Sequence, residues 1–275
     1  MFKKIKENSL TILLALAIFV GLSLVLYPTV SDYWNSFHQS KAVASYLQDV
    51  EDLENSEKER LVEEARVYNQ SLSQNMTPSL NLSGLNQTTY DETLKVTKSG
   101  IMAYVEIPKL NVTLPIYHGT DDSVLRVAIG HIPGTSLPIG GKGTHAVISG
   151  HRGLATAKLF TDIDQLVVGD TFMIQVLDET LVYEVDQILT VLPQEVSALR
   201  IDSNEDYVTL VTCTPYGVNT HRLLVRGHRV VNVDKEVRVV SEASQVVVLF
   251  VALFIAITIF LLLLIGKYIG KVLKN

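Results

Sequence analysis

Two long stretches of the chain carry no charge. Leu10 to Tyr27 is an 18-residue, mostly apolar run preceded by Lys3, Lys4 and Lys6, and Val246 to Ile265 is a 20-residue run followed by Lys267, Lys271 and Lys274. A 20-residue helix is about 30 Å long, the thickness of the hydrocarbon core of a bilayer. The pattern predicts two transmembrane helices. The first also has the basic flank of a signal peptide, but its apolar stretch exceeds the usual h-region of about 7–15 residues. The segment after it, Tyr27-Pro28-Thr29-Val30-Ser31-Asp32, offers no small-x-small cleavage site, so an uncleaved anchor is expected. Lysines at the outer ends of both runs put both termini in the cytoplasm and residues 28–245 outside.

Between the anchors the periodicity changes twice. Residues 34–72 contain no Gly or Pro, and Val43, Tyr46, Leu47, Val50 and Leu53, then Leu61, Ala65, Tyr68 and Leu72, recur at helical spacing. One or two amphipathic helices are expected, broken near Asn55-Ser56, with Ser56 as cap and Glu59 three residues on. The acidic run from Glu51 to Glu64 reads as a solvated helix face, not a cation site. Residues 73–98 turn polar and read as a long loop.

From residue 100 to 233 short β-rich runs alternate with turn signals: Ala103–Ile107, Val112–His118, His145–Ser149, Thr171–Leu177, Leu181–Leu192, Tyr207–Cys213 and Arg222–Val231. Only Ala155 to Leu166 suggests a short helix there. Seven or eight strands in so short a domain imply a closed or nearly closed β-barrel. The expected organisation is a tail (1–9), an anchor (10–27), a helical segment with a lid-like loop (28–99), a β-barrel (100–233), a linker (234–245), a second anchor (246–265) and a tail (266–275).

Composition sharpens this division. The overall 47% hydrophobic content is raised by the two anchors, and six of the 23 Lys and Arg lie in the tails with only one, Glu7, of the 29 Asp and Glu. The exported part therefore has 17 basic against 28 acidic residues, a net charge of −11 in place of the overall −6. Such a surface argues against phosphate backbones and anionic lipid headgroups as partners, and excludes nucleic acid. A single cysteine excludes an intrachain disulfide and a zinc site built on paired thiolates. No histidine pair stands at metal-ligand spacing with a carboxylate, so neither a metal nor a cofactor is expected.

The candidate chemistry gathers where strands end. Cys213 closes Tyr207-Val-Thr-Leu-Val-Thr-Cys213, and Thr214-Pro215-Tyr216-Gly217 breaks the strand at once. A lone exported thiol is either a buried structural group or a functional one, because an idle exposed thiol is an oxidation liability. Thr144-His-Ala-Val-Ile-Ser-Gly-His151-Arg-Gly153 repeats the arrangement, an apolar strand delivering His151 between glycines. A Cys–His pair is the minimal apparatus of thiol nucleophilic catalysis. An eight-residue loop, Thr214 to His221, leads back to Arg222, whose guanidinium is a fixed-charge donor suited to an oxyanion. Arg226 and Arg229 lie farther along and are weaker candidates.

Thr209-Leu-Val-Thr-Cys213, with Arg222 nine residues later and Ser149-Gly-His151 before it, resembles the signature of sortases, membrane-anchored cysteine transpeptidases of Gram-positive bacteria with an eight-stranded β-barrel. Tyr104-Val-Glu-Ile-Pro-Lys, Leu114-Pro-Ile-Tyr-His-Gly, Gly134-Thr-Ser-Leu-Pro and Thr212-Cys-Thr-Pro-Tyr-Gly-Val-Asn-Thr-His-Arg extend the likeness over residues 100–232, toward class C, the pilus-assembling sortases. The resemblance implies Cys213 as nucleophile, His151 as general acid/base and Arg222 as oxyanion or carbonyl stabiliser. It also implies an LPXTG-like sorting signal cleaved after Thr and passed to a pilin lysine. A membrane-tethered thiol peptidase and a housekeeping-type sortase that anchors proteins to the cell wall are the alternatives, and a non-enzymatic surface-binding domain requires Cys213 to be buried away from His151.

The other histidines read as structural: His38 at a helix start, His118 and His131 in turn-rich segments, and His228 near the end of the last strand. His221 should face away from Arg222's side, and His145, six residues before His151 on the same strand face, is a minor alternative to it. In one respect the chain departs from class C. Its loop offers Met76-Thr77-Pro78-Ser79-Leu80 where many members plug the site with an Asp-Pro-aromatic lid, so the loop is expected not to occupy the site through an Asp–Arg222 or aromatic–Cys213 contact.

Overall fold

The computed structural model describes residues 9–73, 87–96 and 100–230. The linker, the second apolar run, both tails and the Met76–Leu80 segment of the lid-like loop lie outside the described residues. The chain parts into two units at the Ser31–Asp32 step. The described part of the first is the apolar beginning of helix α1 (Ser9–Glu51), where Leu13, Leu14, Leu16, Ile18, Leu24 and Val25 are all exposed. An uncovered apolar helix of this length is suited by length and composition to a bilayer.

The second unit opens with the rest of α1, followed by α2 (Asn55–Ser73) and α3 (Gln87–Glu92). The break between α1 and α2 falls at residues 52–54, slightly earlier than expected. Helix α2 is entered by hydrogen bonds from the amides of Glu57 and Lys58 to the Glu54 carbonyl, so Ser56 lies inside the first turn and is not its cap. Val43, Tyr46, Val50, Leu61, Ala65 and Tyr68 are the buried stripes of α1 and α2, as the helical spacing required. Their polar faces carry short-range ion pairs, Arg60 with Glu57 and Glu64, and Arg66 with Glu63.

Eight strands close into a barrel: β1 (Ile101–Ile107), β2 (Val112–His118), β3 (Ile129–His131), β4 (Thr144–Ser149), β5 (Thr171–Val176), β6 (Glu179–Val191), β7 (Asp206–Thr214) and β8 (His221–Arg229), in the order β1-β2-β3-β4-β7-β8-β6-β5. β2 with β3 and β4 with β7 are parallel; the other neighbours are antiparallel. Closure removes the free edges that an eight-stranded sheet would otherwise expose. Phe172, Ile174, Tyr183, Val185, Val208, Leu210 and Val225 fill the interior.

Three local expectations are corrected. β3 is a strand of only three residues, too short to show alternation, and it takes in His131, whereas the expected strand Val112–His118 forms with those bounds. Ala155–Leu166 is no α-helix: its regular structure is a single 3-10 turn at Ile163–Gln165, while a four-residue helix α4 (Asp122–Leu125) forms elsewhere. The polar 73–98 segment contains α3, whose Tyr90 is fully buried. Its hydroxyl bonds His131 Nδ1 at 2.8 Å and accepts from the Gly119 amide at 3.1 Å, fastening α3 to the barrel.

Candidate active site

Cys213 is the next-to-last residue of β7, and β8 lies antiparallel beside it with Cys213 directly opposite Arg222. Residues opposed across a strand pair point to the same face, so the thiol and the guanidinium share the outer face of the barrel. On its other side β7 runs parallel to β4, with Ser149 opposite Val211. His151 follows Ser149 by two residues and Cys213 follows Val211 by two. The parallel register therefore delivers His151 and Cys213 to the same end of adjacent strands. All three side chains are partly exposed.

The chain is clamped as it leaves β4. The Gly150 amide donates to the Val211 carbonyl at 3.0 Å, and the buried Thr212 hydroxyl donates to the Gly150 carbonyl at 2.8 Å. No side chain fits at Gly150, since a Cβ there would lie 2.7 Å from both Ile129 and Phe160. One residue on, the His151 carbonyl accepts from the Phe160 amide at 3.1 Å.

Arg152, immediately after His151, reaches back across the site's edge. Its guanidinium pairs with Asp164, approaches the Thr214 hydroxyl at 3.5 Å, and lies 5.8 Å from the centre of the Tyr216 ring. Tyr216 rests so closely on Gly153 that a Cβ there would sit 3.0 Å from the ring. Asp122 at the start of α4 is held below the usual carboxylate range chiefly by its hydrogen bond to Arg126. Thr212, Arg152, Asp164, Tyr216 and Asp122 were not singled out by sequence reasoning. Only Thr212 and Arg152 had a signal, each being a chain neighbour of a candidate residue.

Arg222 donates through one terminal nitrogen to the His221 carbonyl at 3.1 Å and to the Asn219 carbonyl at 3.3 Å. Among the described residues it forms no ion pair, so its charge is not neutralised by a carboxylate. Arg226 is different. It makes two hydrogen bonds to Asp186, at 3.0 and 2.8 Å, and stacks 4.2 Å from the centre of the Tyr207 ring. It lies beside a cleft of about 470 Å³ at the far end of the same outer face, lined also by Gln187, Arg200 and Asp202. Between that cleft and Cys213 the face is filled by Val147, Val211 and Leu224 beneath Leu199.

The structure separates His145 from this chemistry. His145 lies opposite Tyr207 in the register, six residues back from the Cys213 end, and is buried. One ring nitrogen bonds the Arg200 carbonyl at 2.9 Å and the other the Thr209 hydroxyl at 2.7 Å. Burial pushes its pKa down to about 4, so it is a neutral structural ring and no alternative to His151. His131, fully buried, is pushed down to about 3 by the same cause. His38 lies well inside α1, not at a helix start. Among the described residues no three His, Cys, Asp or Glu side chains gather as metal ligands.

Comparison with known proteins gives the family to which this fold belongs. The sortase domain matches residues 105–230. Sortase C1 of Streptococcus agalactiae is 46% identical, with the alignment covering 70% of this chain and 100% of that one at a TM-score of 0.67. Sortase C-1 of Streptococcus pneumoniae is 41% identical over 70% of this chain and 100% of its own, at a TM-score of 0.63. Sortase D of Bacillus subtilis is 30% identical over 135 residues, 48% of this chain and 64% of that relative's length. The chain belongs to the sortase family, and its solved relatives include class C sortases.

Proposed function

We propose that this chain is a membrane-anchored transpeptidase that polymerises pilins, with both termini cytoplasmic and the barrel outside. Cys213 attacks the carbonyl carbon of the threonine in an LPXTG-like sorting signal. The negative charge that develops on the carbonyl oxygen is met by Arg222, and the Thr–Gly C–N bond breaks as His151 protonates the departing glycine amine. A lysine amine of the next pilin then attacks the thioacyl carbon, expels the Cys213 thiolate, and leaves an isopeptide bond.

One observation supports the reading: Cys213 stands opposite Arg222 in the β7–β8 register, and β4 ends at Ser149, two residues before His151, opposite Val211, two residues before Cys213. Its test is incubation of the full chain in detergent with candidate pilins, followed by mass spectrometry of any cross-link. A Thr-to-Lys amide is the expected product. Release of the free threonine carboxylate alone would make the protein a thiol peptidase, and transfer only to a cell-wall amine would make it an anchoring sortase.

A further inference from the structure

Helix α1 changes character at Asp32, and from there to its end it has two opposite stripes. Asp32, Asn35, Gln39, Val43, Tyr46 and Val50, spaced by three or four residues, form the stripe that meets the barrel. The Asp32 carboxylate accepts from the Lys158 amide at 2.8 Å, Asn35 donates to the Thr156 carbonyl at 2.6 Å, and Gln39 donates to the Val127 carbonyl at 2.8 Å. Val43, Tyr46 and Val50 are buried. At about 100° per residue, Trp34 and Phe37 stand roughly 140–200° around the helix from Asp32. They are 64% and 59% exposed, a large apolar surface that no part of the described chain covers. Their rings flank His38 at 4.9 and 5.9 Å, so three rings make one cluster on the outer side of the helix.

The position of this cluster along the chain identifies its occupant. No charged residue occurs from Leu10 to Ser31. Those 22 residues span about 33 Å as a helix, close to the ~30 Å hydrocarbon core. Trp34 follows about 5 Å beyond, inside the headgroup layer of roughly 5–7 Å, and Phe37, at about 9 Å, stands just outside it. Tryptophan is enriched at that depth because its ring is apolar with a polar N–H edge.

We propose that Trp34 is an interfacial anchor seated in the headgroup layer of the bilayer, with Phe37 flanking it on the water side, and that it fixes the height of the His151 loop. The link is the opposite stripe. Asp32 and Asn35, at the same level of the helix, hold Thr156 and Lys158, five and seven residues after His151. The depth of Trp34 is thereby coupled to the loop that follows His151. This rests on the reading of Leu10–Tyr27 as a membrane anchor.

Trp34 is the chain's single tryptophan, so its fluorescence reports this position alone. In the full chain reconstituted into phosphatidylcholine vesicles, its emission is expected to shift to the blue. Lipids brominated near the glycerol should quench it more strongly than lipids brominated near the chain end, and aqueous acrylamide should quench it weakly. Water-like emission with full acrylamide access, in protein that still floats with the vesicles, overturns the anchor at Trp34 and leaves the transmembrane helix standing. Shielding from acrylamide without bromolipid quenching assigns the patch to a protein neighbour and overturns it as well. Protein that does not float defeats the transmembrane reading itself, and this inference with it. The paired substitution Trp34→Ser with Phe37→Ser should lower kcat/KM several-fold for a vesicle-tethered sorting peptide and leave that for the free peptide unchanged; equal effects on both peptides count against the proposal.

Discussion

Replacing Thr212 by valine keeps the shape of the side chain and removes one hydroxyl. Thr212 is buried on the inner face of β7, and its hydroxyl donates at 2.8 Å to the carbonyl of Gly150, itself buried. The valine leaves that carbonyl without this donor in a dry site, a loss of about 1–3 kcal/mol. For a domain of 150–250 residues each kcal/mol is worth roughly 2–4 °C in Tm, so a fall of about 2–12 °C is expected. The more telling effect is on catalysis. Gly150 is the residue between β4 and His151, and Ile129 and Phe160 pack against it without space for a Cβ. A carbonyl that turns away to find water must turn the peptide that carries His151. Misplacement by about 1 Å costs on the order of 100-fold in rate, so kcat/KM should fall by about 10- to 100-fold. Thr212→Ser keeps the donor, loses a methyl worth about 1 kcal/mol, and should stay within a few-fold of wild type in kcat/KM. The assay pairs thermal melts with kcat/KM on a sorting peptide, below the melting transition of every variant. If Thr212→Val melts lower but turns over like wild type, the hydroxyl stabilises the barrel without positioning His151, and the reasoning fails.

Cys213→Ala should abolish the thioacyl intermediate, seen as loss of the mass adduct with substrate, and His151→Ala should nearly abolish it; adduct formation at wild-type rate in either would remove that residue from the mechanism. Arg222→Lys should lower kcat by at least 10-fold, because an ammonium cannot reproduce the planar fork, with full activity arguing against an oxyanion role. Asp164→Asn leaves the Arg152 guanidinium without its carboxylate beside the site, so it should depress kcat more than raise KM and shift the pH–rate profile; an unchanged profile would make the pair merely structural. His131 and His145 are neutral in the fold, with pKa values pushed down by burial to about 3 and about 4. The unfolded chain binds their protons below about 6.5, so stability is independent of these groups above that pH and falls as pH drops toward 4. His145→Gln should therefore flatten the dependence of ΔG on pH between about 4 and 6.5 by up to about 1.4 kcal/mol per pH unit, measured by denaturant titration, and an unaltered slope would refute the assignment.

How much of this was legible in the sequence depended on whether the signal was local. The seven strands foreseen were runs of β-branched and aromatic residues between turn signals, and the register they adopt follows from burying one face. β3 was missed because Ile129–His131 is three residues long, shorter than any period, and is held by its neighbours Ile116–His118 and Ile148–Ser149. The short helix expected at Ala155–Leu166 gave way because that segment is committed elsewhere: Phe160 is buried against Gly150, and Thr156 and Lys158 are tied to α1. Tertiary demand overrode a weak local preference there. The site shows the same division. Cys213, His151 and Arg222 stand at strand ends beside turn residues, a pattern open to one-dimensional reading. His145 also fits that pattern by alternation, and only the third dimension separates the two histidines. The parallel pairing of β4 with β7 puts His145 opposite Tyr207, with both ring nitrogens satisfied, and leaves His151, two residues beyond Ser149, at the Cys213 end of the strands. The pairing of two strands 62 residues apart therefore decides which histidine lies at the Cys213 end, and no local spacing encodes it. The same holds for Asp164, which reaches Arg152 only because the chain between them folds back over Gly150.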